Sequence, residues 1–290
     1  MSWRIVVISN SAKLDYQMGY LTVRQESVTK IHLSEISVLL IETTAVSMTA
    51  YLLSELVKKK IKVIFCDEKR NPSSELVPFY GSHDTSIKMR KQIEWSKDIK
   101  TAVWTEIVAE KIRKQAELLR ECGCLEYEML NGYIEELQFG DCTNREGHAA
   151  KVYFNALFGM DFTRTTENSI NAALNYGYGI ILSAFNREIV ANGYSTQLGL
   201  FHDNMFNPFN LGSDLMEPFR PLVDRKVLVM KPEKFEHEEK MEILNVLNGE
   251  VTIGGKREFI NNAIKIYCKS IFDALNDKEP SLIKFYQNEL

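Results

Sequence analysis

Residues Ile61 to Lys100 read IKVIFCDEKRNPSSELVPFYGSHDTSIKMRKQIEWSKDIK, and the change of character within this stretch decides the fold. Its first half holds two short runs, IKVIFCD and ELVPFY, rich in β-branched and aromatic residues and separated by a turn signal at Asn71-Pro72-Ser73-Ser74. Its second half loses that pattern. From Ser86 to Lys100, Ile87, Met89, Ile93 and Trp95 are interleaved with Lys88, Arg90, Lys91, Lys97 and Lys100, which predicts a basic helix. The switch places a domain boundary near Gly81 to Asp84, with a β-rich domain over residues 1–82 and a helical domain over 83–290.

Upstream, the strand pattern continues in WRIVVIS, in KLDYQMGYLTVRQ around a turn at Gly19, and in SVTKIHLSEISVLLIE. Short strands so close together predict antiparallel pairing. SMTAYLLSELVKKK interrupts them with helical spacing, with Ser47 as the candidate N-cap and lysines in the last turn. Downstream, helices are predicted over Thr101–Leu119, Leu125–Phe139, Asn144–Phe158, Asn168–Asn192, Asp214–Met230, Glu233–Leu247 and Arg257–Leu275. A small hairpin is expected around Gly249–Gly255. The expected class is α+β and multidomain: a β-rich, sandwich-like N-terminal domain followed by an all-α catalytic domain.

With 290 residues the chain can bury one large core or two modest ones, and 45% hydrophobic with 26% charged residues excludes disordered and collagen-like classes. A formal charge of -4 gives no global attraction to nucleic acid, so DNA binding requires a local basic surface. Five cysteines without an export signal are expected as free thiols, and Cys122-Gly-Cys124 lacks the partners of a zinc site. No apolar run reaches membrane-spanning length, and the expected location is the cytoplasm, with no membrane partner.

The candidate chemistry lies in LGLFHDNMFNPFNLGSDLMEPFRPLVDR, residues 198–225, and in REGHAAKVYF, residues 145–154. His202 sits in a segment rich in Asn, Asp, Gly and Pro, where a core histidine is not expected. Asp214 and Glu217 are three residues apart, and Glu146 supplies a further carboxylate from an earlier helix. Two carboxylates and an imidazole suit a hard divalent ion such as Mg²⁺ or Mn²⁺, which can polarise a phosphodiester. Spacing alone leaves a second reading open. Thr143-x-x-Glu146 matches a capping box, and Asp214-x-x-Glu217 followed by Pro218 matches a helix start, so both acids could serve as caps.

REGHAAKVYF, NAALNYGYGIILS (171–183), and GLFHDN followed by SDLMEPFRPLVD, in this order behind a β-rich domain, resemble the CRISPR-associated spacer integrase and endonuclease, the universal first subunit of the adaptation complex. Asn-Pro-Phe-Asn before SDLMEPFRP and the chain length look most like its type II-A branch. The resemblance implies that Glu146, His202 and Glu217 are the catalytic metal ligands, that Asp214 is a supporting acid, and that Tyr153, Asn171 and Tyr176 line the site. Relatives often carry two successive acids before FRP, whereas this chain has Glu217-Pro218. The family implies a homodimer, a small ferredoxin-like second subunit, and double-stranded DNA as both spacer fragment and CRISPR repeat. Relatives of the branch also work with the effector nuclease and a ring-forming DNA-binding subunit. In the implied reaction a 3'-hydroxyl of the fragment attacks a repeat phosphodiester, which needs no nucleotide cofactor. Lys88, Arg90, Lys91, Arg164 and Arg220 are the candidate DNA contacts. A structure-selective nuclease and a non-catalytic DNA-binding scaffold are the alternatives.

Overall fold

Residues Ile36–Ile41, an unbroken ISVLLI run, are buried at every position and form the central strand of the first sheet. A strand covered on both faces reads as such a continuous apolar run. The computed structural model describes residues 4–78 and 82–288, and the chain divides between His83 and Asp84 into a β-rich unit and a helical unit. Phe79, Tyr80 and Gly81, part of the expected ELVPFY strand and of the expected boundary, lie outside the described residues.

The first unit contains β1 (Arg4–Ile8), β2 (Ala12–Gln17), β3 (Tyr20–Arg24), β4 (Val28–His32), β5 (Ile36–Ile41), β6 (Val46–Met48), α1 (Ala50–Lys58), β7 (Lys62–Cys66) and β8 (Pro72–Glu75). They form two four-stranded sheets, ordered β1-β5-β7-β8 and β4-β3-β2-β6. One core joins both sheets and α1, drawing on Ile8, Leu14, Leu21, Leu39, Leu52 and Val63 among others. The sandwich-like expectation holds.

Among the described residues of this unit, antiparallel pairing holds for the β2–β3–β4 meander and for β7 with β8, whereas β1 with β5, β5 with β7 and β2 with β6 are parallel. The connections explain the difference. The whole meander separates β1 from β5, while β6 and α1 separate β5 from β7, and such crossovers return the chain in the same direction. Met18 and Gly19, with φ of 49° and 90°, close the β2–β3 hairpin as a two-residue turn that needs positive φ at both positions. The expected cap Ser47 lies in β6; Thr49 caps α1 instead, its hydroxyl accepting from the Leu52 amide at 3.2 Å. The expected Asn71–Ser74 turn is also displaced. Asp67 Oδ1 accepts from the amides of Lys69 and Asn71, so the chain turns there and Pro72–Glu75 is free to pair with β7.

The second unit contains α2 (Thr85–Glu94), α3 (Lys97–Glu121), α4 (Tyr127–Glu135), α5 (Arg145–Phe158), α6 (Ser169–Ala191), α7 (Asn210–Leu215), α8 (Arg220–Met230), α9 (His237–Leu244), β9 (Glu250–Ile253), β10 (Lys256–Phe259), α10 (Ile260–Asp277) and β11 (Tyr286–Gln287). α3 packs against α4, α5, α8 and α10 and forms the axis of this unit. The helix expected over Ser86–Lys100 breaks at Trp95. Its ring packs on Tyr194 and Phe272, and Ser96 starts α3 by accepting from the Ile99 amide. The helix expected over Asp214–Met230 likewise divides into α7, a 3-10 turn over Glu217–Phe219 and α8, because Pro218 and Pro221 cannot donate to a continuous ladder. The expected hairpin forms as β9–β10 and gains β11 as a third strand, so the helical unit carries one small sheet. No described helix is long and apolar enough to cross a membrane, and all five cysteines are free.

Candidate active site

Glu146 lies in the first turn of α5, and the capping box proposed for it does not form. The Thr143 hydroxyl is buried without a hydrogen-bond partner. Asp141 does the capping: its Oδ1 accepts from the Arg145 amide at 2.6 Å and its Oδ2 from the Glu146 amide at 3.1 Å. This releases the Glu146 side chain. Asp141→Ala is expected to cost about 1 kcal/mol of stability, read by urea denaturation, as for other lost caps.

Glu217 occupies the 3-10 turn between α7 and α8 and is 4% exposed. Its Oε1 accepts from Arg220 Nε at 2.9 Å, and Lys111 Nζ stands 2.5 Å from its Oε2. The same ammonium pairs with Glu146 Oε1. One buried lysine on α3 thus joins carboxylates contributed by two other elements. Burial pushes the Glu217 carboxyl up, but Arg220 and then Lys111 outweigh it and hold Glu217 below the usual carboxylate range. Burial lowers Lys111, yet Glu217 and Glu146 prevail and raise it, so the ammonium stays charged.

His202 is held by Asp214. The carboxylate of Asp214, fully buried, accepts from the amides of Leu200 at 2.6 Å, Phe201 at 3.1 Å and His202 at 3.1 Å, and Oδ1 lies 2.6 Å from His202 Nδ1. Its position within α7 excludes the helix-start reading. Gly199 makes the wrapping possible: a Cβ there would lie 2.2 Å from the His202 carbonyl oxygen and 2.8 Å from Asp214 Oδ2. The hydrogen bond to Asp214 raises the His202 pKa against its partial burial, with Asp214, Glu217 and Glu146 adding electrostatic attraction. Both glutamates therefore lie within electrostatic reach of the imidazole. Its ring stands edge-on to Trp104 at 5.8 Å, and Trp104 stacks on Phe201 at 4.6 Å.

A cavity of about 230 Å³ opens beside the two glutamates, lined also by Lys111, Gln115, Arg164, Tyr178 and Arg220. Two guanidinium groups approach the Tyr178 ring, Arg220 at 4.7 Å and Arg164 at 5.3 Å from its centroid. Asp224, buried at the cavity wall, accepts from both Tyr153 Oη at 2.9 Å and Tyr178 Oη. Burial raises its carboxyl to about 6, opposed by these two hydrogen bonds and by Arg220 and Arg164.

The other candidates are distributed differently. Tyr153 reaches the cavity wall through Asp224. Asn171 donates to the carbonyls of Thr163 and Thr166, each at 2.8 Å, and accepts from Arg164, so it braces the loop that carries this arginine. Tyr176 packs edge-on against Phe235 and is not among the cavity residues, whereas Tyr178 is. Lys88, Arg90 and Lys91 lie on α2, away from the cavity lining, with Arg90 and Lys91 exposed. Buried Gln92 ties α2 to the segment before His202, donating to Ser195 O at 2.9 Å and Leu198 O at 3.1 Å.

Lys111, Tyr178 and Asp224 were missed in the sequence. The signal was present for Lys111, because it falls on the stripe of Trp104, Ile107, Val108 and Ile112, where a charged residue breaks the apolar periodicity. Among the described residues no three His, Cys, Asp or Glu side chains converge closely enough to hold an ion as they stand. The donor chemistry nonetheless fits a hard divalent cation: Lys111 marks a cation position between two carboxylates, and Glu217 Oε2 has no hydrogen bond of good geometry. With Nδ1 turned to Asp214, His202 offers Nε2, the arrangement in which an outer carboxylate orients a ligating imidazole.

The family described as CRISPR associated protein Cas1 matches residues 5–262. A CRISPR-associated endonuclease Cas1 from Neisseria meningitidis serogroup C (strain 8013) is 39% identical over 231 residues, which cover 79% of this chain and 76% of that protein. Two solved structures share the fold. A casposase bound to integration product superposes with a TM-score of 0.77 at 18% identity, covering 96% of this chain and 91% of the other. A Cas6-RT-Cas1–Cas2 complex gives 0.75 at 17% identity over 99% of this chain, which spans 36% of that longer one.

Proposed function

The chain belongs to the CRISPR associated protein Cas1 family, and from this we propose that it is a metal-assisted DNA integrase and endonuclease of CRISPR adaptation. The single observation that carries the reading is the meeting of Glu146 and Glu217, from separate elements, around one cationic centre within electrostatic reach of His202. Glu146, Glu217 and His202 are the residues that would hold a Mg²⁺ or Mn²⁺ ion. When bound, that ion supplies Lewis-acid polarisation of a phosphodiester and lowers the pKa of an attacking hydroxyl.

The chain's own residues do the rest. Asp214 keeps the Nδ1 proton of His202 and fixes the ring, while Arg220 and Arg164 present guanidinium groups to phosphate oxygens at the cavity. Asn171 holds Arg164 in place. In the proposed transesterification the 3'-oxygen of a DNA fragment forms a bond to a repeat phosphorus as the P–O3' bond of the repeat strand breaks. The proton of the attacking hydroxyl leaves with solvent and the departing 3'-oxygen takes one up. One phosphodiester replaces another, so no nucleotide is consumed.

The proposed assembly is a homodimer joined through the β-rich unit, with a small ferredoxin-like subunit; the Cas1–Cas2 complex among the structural neighbours supports such a partner. The casposase bound to integration product supports joining chemistry on this fold. Contacts of Lys88, Arg90 and Lys91 with the DNA backbone, and work beside a type II-A effector nuclease and a ring-forming subunit in the cytoplasm, are proposed on the resemblance alone.

The test is joining of a labelled duplex fragment to a repeat-containing plasmid, with the small subunit present. Glu217→Gln and His202→Ala are expected to lower joining by at least roughly a hundredfold while circular dichroism stays unchanged, and chelator is expected to stop the wild-type reaction. Undiminished joining by folded His202→Ala protein removes the assignment. Cleavage of branched DNA in preference to joining favours the structure-selective nuclease, and DNA retention with no metal-dependent chemistry favours the scaffold.

A further inference from the structure

Lys111 follows the apolar Trp104, Ile107 and Val108 on the buried face of α3 and is 7% exposed, yet its ammonium contacts both Glu146 and Glu217. Arg220 holds the second oxygen of Glu217. Two carboxylates therefore face two cations, and their charges cancel before any ion enters. A buried ammonium is costly alone, and two adjacent carboxylates repel one another; the lysine relieves both penalties at once. A divalent ion added to the same carboxylates turns a neutral cluster doubly positive. A phosphodiester brings a negative charge to offset that excess, and Arg164 and Arg220 already line the cavity where it can lie.

We propose that Lys111 is a tethered counter-cation, which holds Glu146 and Glu217 together in the ion-free protein and makes divalent-ion binding depend on DNA. The inference rests on the metal-assisted reading above. Without DNA the ion competes with the ammonium for both carboxylates and binds weakly. With a phosphodiester in the cavity one of the two added positive charges is offset and the ion binds more tightly. The coupling is reciprocal, so the ion strengthens DNA binding by the same factor. Lys111 is thus a positioning residue for the two glutamates, and its removal leaves them mutually repelling but open to the ion.

The test titrates Mn²⁺ by electron paramagnetic resonance, with and without a short DNA duplex, for the wild type, Lys111→Met and Lys111→Gln. The two variants differ in polarity, so one serves where the other fails to fold. DNA is expected to tighten Mn²⁺ binding by the wild type by about tenfold or more, since one unit charge at contact distance is being matched. Without DNA, the variants are expected to bind Mn²⁺ about tenfold more tightly than the wild type and to lose most of the DNA dependence. Their melting temperature in chelator is expected to fall below that of the wild type and to recover on adding Mn²⁺. Equal Mn²⁺ affinity in all three proteins overturns the proposal while leaving metal-assisted chemistry intact. Absence of Mn²⁺ binding in every sample, with or without DNA, overturns both.

Discussion

Asp214→Ala is expected to destabilise the helical unit by about 3–5 kcal/mol and to lower DNA joining as far as the loss of His202 does. Asp214 is fully buried, and its two oxygens collect three backbone amides and the His202 imidazole. Alanine removes the acceptor for all four groups together, and no protein atom replaces it. Urea denaturation measures the stability, and the joining assay measures the chemistry.

Asp214→Asn removes the anionic charge but keeps one acceptor oxygen in place of two, so it is expected to retain part of the backbone wrapping and to lose less stability than alanine. The raised pKa of His202 is expected to fall toward its ordinary value in this variant, followed by NMR titration of the ring. The sign is fixed by the direction of the wild-type shift. A folded-state pKa above the unfolded value contributes stability that is complete below about 6.5 and is lost as pH rises through the folded value. The Asn variant is expected to lack that portion. An unchanged His202 titration curve in Asp214→Asn rules out control by this carboxylate.

The second large effect is carried by Asp224, which burial raises from 3.8 to about 6. Between those values the folded protein holds a proton that the unfolded chain has released. Stability therefore falls as pH rises from about 4 to about 6, by about 3 kcal/mol for a displacement of this size. Asp224→Asn removes the titration, so the stability difference between wild type and variant is expected to change by that amount across the same range and then level off. The variant also leaves one of its two tyrosines without a good acceptor, since a single amide oxygen replaces two carboxylate oxygens. Denaturation curves at pH 4, 5, 6 and 7 measure the difference; a constant gap at all four overturns the assignment of the titrating group. The tyrosines themselves stay neutral donors, because burial first and Asp224 second push both hydroxyls well above their ordinary range.

Period was the legible part of the fold. SVTKIHLSEISVLLIE marked strands and the spacing over Asn168–Asn192 a helix, because burial acts on each residue locally and leaves its repeat in the sequence; that both faces of Ile36–Ile41 are covered came from the structure. Strand direction was not legible, since it depends on which strands become neighbours after the crossovers. Caps were misread for a related reason: Thr143 and Ser47 have the right chemistry at the right spacing, but Asp141 and Thr49 reach the amides first.

The motifs marked Glu146, His202 and Glu217 as candidates, and family membership could be anticipated from their order along the chain. What distinguishes a ligand-type carboxylate from a cap lay in three dimensions. Glu146 and Glu217 stand 71 positions apart in the chain, and no local pattern says that the ammonium of Lys111, from a third element, lies between them. Residue type and period are written one position at a time, whereas charge balance at a buried site is a sum over elements that only packing brings within a few ångströms.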